Sequence, residues 1–114
     1  MKKLLNGFGY AFKGLSYATS TQLNFKIHLI IAFVTVALGF YLNISTPEWC
    51  WIIACIALVL VVELLNTAIE LLTDIVSPEF HVKAGYLKDV SAAAVLITAF
   101  LALIIGAIIF IPKF

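Results

Sequence analysis

Three long apolar stretches, separated by two short polar ones, organise the 114-residue chain. The first runs from His28 to Asn43 (HLIIAFVTVALGFYLN) and, with Phe25 and Ile27, approaches the length needed to cross a bilayer. The second begins at Trp49, stays uncharged to Val62, and continues at helical period into polar territory. The third, Val90 to Ile111, has no charged residue. Ahead of them, Leu4, Leu5, Phe8, Ala11, Phe12, Leu15 and Ala18 recur at helical spacing, with Lys2, Asn6, Gly9, Lys13, Ser16 and Ser20 roughly opposite. That two-sided pattern predicts a helix lying along the membrane surface, apolar face down. The same pattern also suits a mere anchor. The expected architecture is an all-α membrane protein of one domain: a surface helix over 1–24, spans over 25–44, 49–74 and 89–111, and a loop over 75–88. The second span is expected to extend into the cytoplasm.

Composition agrees. At 64% hydrophobic, 11% charged and a mean hydropathy of +1.16, the chain has far more apolar surface than a small water-soluble domain can hide. The net charge of +1 gives no reason to expect a nucleic-acid partner. All seven basic residues are lysines, so any phosphate recognition relies on ammonium point charges rather than guanidinium forks. Cys50 and Cys55 are five apart and belong to no C-x-x-C or Cys/His cluster, which reads as packing. Asn6, Gly7, Gly9 and Lys13 break the run that a cleavable signal would need after Lys2 and Lys3.

Lysine asymmetry sets the expected orientation. Lys2, Lys3, Lys13 and Lys26 precede the first span, and Lys83 and Lys88 lie between the second and third. The other connection, Ser45-Thr46-Pro47-Glu48, has no lysine, and Lys113 alone follows the third span. A cytoplasmic N-terminus keeps six of the seven inside. Pro47 suits the first turn of a helix, and Trp49 and Trp51 suit the outer interface.

The second span carries the strongest chemical signal. At 100° per residue, Glu63, Asn66, Thr67, Glu70 and Asp74 share one helix face. The apolar residues from Trp49 to Val62 cover roughly 21 Å at 1.5 Å per residue, short of the ~30 Å hydrocarbon layer. Glu63 therefore falls inside the cytoplasmic leaflet, where a carboxylate costs about 2.5 kcal/mol or more. Interhelical polar glue returns only ~0.6 kcal/mol per contact. Binding or catalysis is the better account of such a face.

A second polar group precedes the third span: Glu79, His81, Lys83, Lys88 and Asp89. Ser77-Pro78 ends the second helix, Gly85 permits a turn, and Lys88-Asp89 opens the third helix, where the small residues Ser91-Ala92-Ala93-Ala94 let another helix approach closely. In the plainer reading Asp89 simply caps that helix. In the bland reading Lys88 snorkels and His81 is a solvated loop residue. Together, carboxylates suit Mg²⁺ and ammonium groups suit phosphate, a pairing that fits phosphoryl transfer. No G-x-x-x-x-G-K-[ST] loop is present, and Gly7-Phe8-Gly9 follows no strand.

The run VELLNTAIELLTD, the downstream E-x-H and the segment K-D-x-S-A-A-A-V-L-I resemble the small bacterial integral-membrane lipid kinases, the prokaryotic diacylglycerol kinases and undecaprenol kinases. The likeness extends from G-Y-A-F-K-G-L to the terminal I-I-G-A-I-I-F-I-P-K. It implies a homotrimer in the bacterial cytoplasmic membrane, with active sites at subunit boundaries. It further implies ATP and a lipid alcohol as substrates, with Mg²⁺ as cofactor. Glu63 matches the catalytic base and Glu70 a metal-binding carboxylate, with Asn66 orienting the base or a phosphate oxygen. ATP contacts carry over to Lys3, Tyr10, Gln22, Glu70, Glu79, His81, Lys88 and Asp89, and Asp74 braces Glu70. Gln22 departs from the pattern: the family usually has a second metal-binding glutamate there, and an amide lacks its charge. The N-F-K-I-H segment, short N-terminus and I-P-K ending resemble the undecaprenol branch more than the diacylglycerol branch.

Two readings compete. A small proton-coupled exporter would use Glu63 to bind a cation within the membrane, and needs little cytoplasmic apparatus. A catalytically weakened membrane subunit is the reading that Gln22 keeps open.

Overall fold

The computed structural model describes residues 1–114 and contains no strand. Four helices follow one another: α1 Lys2–Thr21, α2 Leu23–Tyr41, α3 Thr46–Val76 and α4 Val82–Phe110, with a 3₁₀ turn at Ile111–Lys113. The last three are long and apolar enough to cross a membrane. An all-α chain with an N-terminal helix and three spans is thus what forms. Only 14 of 114 residues are buried within the chain, while Ile30, Phe33, Val34, Ile97, Leu103 and Ile108 among many others are exposed. Such a surface is stable only against lipid or other protein.

α3 is the central helix, packed along α4 and, over a shorter stretch, against α2. α1 touches the rest chiefly through α2; Ala18 is its one buried residue, and Phe25 at the start of α2 is almost fully enclosed. The break between α1 and α2 is a single extended residue, Gln22. The first helix therefore stops at Thr21 rather than 24, and the first span begins directly after it.

The α2–α3 connection is built from local signals. Asn43 takes φ 51°, the left-handed conformation that asparagine tolerates. The Ile44 amide then donates to the Gly39 carbonyl and the Asn43 amide to that of Phe40. This is a Schellman closure, and Ile44 and Leu38 join the same apolar cluster. Ser45 next caps α3: its hydroxyl accepts from the Glu48 amide, and the Glu48 carboxylate accepts from the Ser45 amide at 2.9 Å. Pro47 lies in the first turn, as expected. Lys113 reaches the same carboxylate at 3.2 Å, tying the end of the chain to this loop. Ile44, Ile52, Ile109 and Phe110 form the buried apolar cluster beneath it.

The other connection is shorter than the expected loop. α3 runs to Val76 and is stopped by Ser77 and Pro78, but α4 starts at Val82 rather than at Asp89. The cap is His81, whose Nδ1 accepts from the Lys83 amide at 3.1 Å, so Asp89 is a mid-helix residue rather than a cap. Gly85 stays helical, because nothing nearby demands a turn and its φ is not positive. At 1.5 Å per residue α3 is about 46 Å long and α4 about 44 Å, against ~30 Å of hydrocarbon. Both helices must project beyond the membrane at the lysine-rich end.

Gly39 has a specific task. A Cβ there would fall 2.7 Å from Cη2 and 3.0 Å from Cζ2 of Trp49, whose ring also stacks at a tilt on Phe40. Gly39→Ala is expected to destabilise the fold by about 1–3 kcal/mol. Gly14→Ala, with open space around it, should hold stability or gain up to ~1 kcal/mol. Thermal inactivation of the two variants in detergent micelles measures the contrast.

Candidate functional site

The site grows from the polar face of α3. Counting about 20 residues of hydrocarbon from the first turn of α3 places the lysine-rich boundary in the neighbourhood of Asn66 to Ile69. Glu63 is then inside the apolar layer, Glu70 at its edge and Asp74 beyond it. Glu63 is 2% exposed, Asn66 and Thr67 are buried, Glu70 is half-buried and Asp74 is exposed, a gradient along one face. Periodicity alone predicts the shared face; packing against α4 decides which of its members lose contact with solvent.

A hydrogen-bonded relay connects the face to α4. The Ser91 hydroxyl donates to Asn66 Oδ1 at 2.6 Å, and Asn66 Nδ2 donates to Glu70 Oε1 at 3.1 Å. Because Ser91 occupies the amide oxygen, the amide nitrogen must point towards Glu70. Asn66 is thereby held in one orientation, and Glu70 receives a donor without a positive charge. Ser91 belongs to the Ser-Ala-Ala-Ala stretch read from sequence as a close-approach surface; its hydroxyl role needed a partner helix to become visible. A lone serine among alanines, on a helix that faces intramembrane polar groups, was the available signal.

Glu63 stands apart from that relay. Its Oε1 is buried and has no hydrogen-bond partner, and the ionisable side chain that faces it is His28 on α2, with Nε2 at 3.7 Å. Asp74 pairs with Lys88 of α4 at 2.6 Å instead of bracing Glu70. No hydrogen bond or ion pair joins Lys3, Tyr10, Gln22, Glu79, His81 or Asp89 to Glu63, Asn66 or Glu70. Lys3 and Tyr10 are exposed on α1, where Lys13 lies over the Tyr10 ring at 5.7 Å. The side-chain amide of the half-buried Gln22 donates only to its neighbour Thr21, at 3.2 Å. Glu79, His81 and Asp89 are exposed at the same end of the molecule.

Nowhere in the chain do three His, Cys, Asp or Glu side chains gather as a closed metal cage. Glu70, with a single hydrogen bond to one oxygen, does fit a magnesium ion, which commonly takes one or two protein carboxylates and completes its shell with water and substrate phosphate.

One helix face that carries a buried acid, a half-buried acid two turns on and then an exposed acid paired with a lysine is an arrangement for bringing a membrane-borne group to a water-soluble one. Comparison with known proteins identifies the family. The model of the prokaryotic diacylglycerol kinases matches residues 9–110. The chain belongs to that family. It is 34% identical to the undecaprenol kinase of Bacillus subtilis (strain 168) over 113 residues, covering 99% of this chain and 92% of that one. It is 39% identical to the diacylglycerol kinase of Synechocystis sp. over 112 residues, 96% of this chain and 63% of the other. Against the diacylglycerol kinase of Escherichia coli (strain K12) it is 31% identical over 102 residues, 90% and 84% of the two chains. The protein is accordingly a lipid kinase, a phosphotransferase of a bacterial membrane.

As a member of the prokaryotic diacylglycerol kinase family, the chain devotes its longest helix to the polar face, and Ser91 fixes the orientation of that face. Ser91→Ala is expected to reduce stability by about 0.6–1.7 kcal/mol, the range for interhelical hydrogen bonds in membranes. Ser91→Thr should retain most of it. Denaturation of the purified variants in mixed micelles reads the difference.

Proposed function

We propose that the protein transfers the γ-phosphoryl group of ATP to a membrane lipid alcohol, undecaprenol ahead of diacylglycerol, at the cytoplasmic face of the bacterial inner membrane. The observation that carries this reading is the Glu63 carboxylate, buried in the apolar layer with an oxygen that no formed hydrogen bond satisfies. A carboxylate at that depth is within reach of a hydroxyl borne by a lipid and out of reach of bulk water. Glu70, two turns along the same face, is at the depth of soluble phosphates.

In the proposed reaction Glu63 accepts the proton of the lipid hydroxyl as its oxygen bonds to the γ-phosphorus. The bond from that phosphorus to the bridging oxygen breaks, and ADP leaves with the electron pair. Asn66 orients Glu70 and, through it, the nucleotide. Glu70, with Gln22 as a weaker oxygen donor, would hold Mg²⁺, which neutralises phosphate charge. Lys88 is paired with Asp74 in the free chain and is the nearest ammonium on α4 for the nucleotide. Lys3, Tyr10, Glu79, His81 and Asp89 complete the ATP contacts by resemblance. Their separation from Glu70 in a single chain is in keeping with a homotrimer whose sites lie between subunits. The undecaprenol preference rests on the N-F-K-I-H segment and on the near-complete mutual coverage with the Bacillus undecaprenol kinase.

The exporter reading gains nothing from the structure. It needs one acid near the middle of a span, whereas the polar face here continues through Glu70 and Asp74 to Lys88.

The direct test supplies purified protein with Mg-ATP labelled at the γ-phosphate and, separately, undecaprenol or diacylglycerol in mixed micelles. Label is expected in undecaprenol first, and label in neither lipid would overturn the proposal. Glu63→Gln should lower turnover by at least about 10²-fold, the lower range for a general base, with ATP affinity unchanged. Glu70→Gln should instead shift the Mg²⁺ titration upward by about tenfold or more, since it removes a charge from the ion's shell. An unchanged titration would remove Glu70 from that role.

A further inference from the structure

The unpartnered Glu63 oxygen faces a side chain that the proposed mechanism does not use. His28 is in the second turn of α2, packed towards α3, with Nε2 3.7 Å from Glu63 Oε1. The two side chains are 20% and 3% exposed. His28 also lines the apolar groove of about 550 Å³ that α2, α3 and α4 leave between them. Of the groove's lining residues only His28 and Thr35 carry a nitrogen or oxygen in the side chain. The Thr35 hydroxyl already donates to the Ile31 carbonyl at 2.7 Å, so His28 alone brings a free N–H to this end of the groove.

An isolated buried carboxylate oxygen is costly, and the cost falls only when a donor meets it. The 3.7 Å separation is longer than the ~2.7–3.2 Å of a formed N–H···O bond, and a ring movement of under about 1 Å closes it. The other groups around Glu63 cannot serve. Thr67 donates to the Glu63 backbone carbonyl at 3.1 Å, and Asn66 is committed to Glu70 and Ser91. Lys88 is held by Asp74.

We infer that His28 is the positioning residue of this kinase: its Nε2–H donates to Glu63 Oε1, fixes the carboxylate rotamer, and leaves Oε2 free for the lipid hydroxyl. The inference rests on the lipid-kinase reading above and adds to it a residue on a different helix. His28 does not take the substrate proton; it makes the acid that does so tolerable in the apolar layer and aims it. Because it both lines the groove and faces Glu63, it also marks the end at which the hydroxyl of a lipid would arrive.

The test uses the full chain in mixed micelles with Mg-ATP and whichever lipid the wild type labels. Glutamine places its Nε2 about as far from the backbone as histidine does and donates a hydrogen bond without ionising. His28→Leu should lower kcat roughly 10- to 100-fold, the effect of losing a hydrogen bond to a charged group, with KM for ATP unchanged. His28→Gln should recover most of that loss. Combined with Glu63→Gln, His28→Leu should add less than about a twofold further loss, because the two act as a unit. An independent readout is the ¹⁵N resonance of the His28 ring, which should move in Glu63→Gln without substrate present. Full turnover in His28→Leu, or a ring resonance indifferent to Glu63→Gln, would overturn the pairing while leaving the kinase reading intact. A wild type that labels neither lipid would overturn the function and this inference with it.

Discussion

A carboxylate held inside hydrocarbon must either find partners or serve a purpose worth its cost, and the arrangement of this chain follows from Glu63 being so held. The acid is placed by the length of α3, which exceeds the thickness of the apolar layer by several turns. With the Ser45–Glu48 cap and the Trp49 contact anchoring the far end, each residue of α3 has a defined depth. Glu63 falls within the membrane, Glu70 at its edge and Asp74 in water. Moving the cap by one residue would turn the whole polar face by 100° and misalign it with α4.

The helices around α3 divide the work of making that face tolerable. α4 contributes the Ser91 hydroxyl to Asn66 and the Lys88 ammonium to Asp74, so the relay and the ion pair are both interhelical. α2 contributes His28 opposite the acid that the relay does not reach. α1 touches little of this, which suits a helix lying on the surface and leaves Lys3 and Tyr10 exposed. The large exposed apolar area of the single chain is a consequence of the same economy: three helices of this size leave most of their apolar surface to be covered by lipid or by other protein.

Membership in a lipid kinase family gives the arrangement its chemistry. Phosphoryl transfer asks the protein mostly to position reactants and neutralise charge, which a chain of 114 residues with seven lysines and no arginine can do. The substrate alcohol is lipid-borne and the phosphoryl donor is soluble, so the reactive residues must straddle an interface. In the proposed reading, a single helix crossing that interface with Glu63 and Glu70 spaced at i and i+7 does so.

Much of this was written in the chain. The apolar periodicities yielded an N-terminal helix and three spans, because the bilayer admits few structures and forces each span to satisfy its own backbone. The shared face of Glu63, Asn66, Glu70 and Asp74 followed from 3.6 residues per turn and needed no fold. Pro47 in the first turn of α3 was equally legible, while the Ser45–Glu48 cap and the start of α4 were not read: Gly85 suggested a turn, and a histidine cap four residues earlier carried the helix through it. Only the tertiary structure decided the partners. That Ser91 meets Asn66, that Lys88 takes Asp74 away from Glu70, and that His28 faces Glu63 all depend on how far each helix is rotated and slid against its neighbours. Those quantities are set by side-chain packing across helices, which no periodicity within one helix contains.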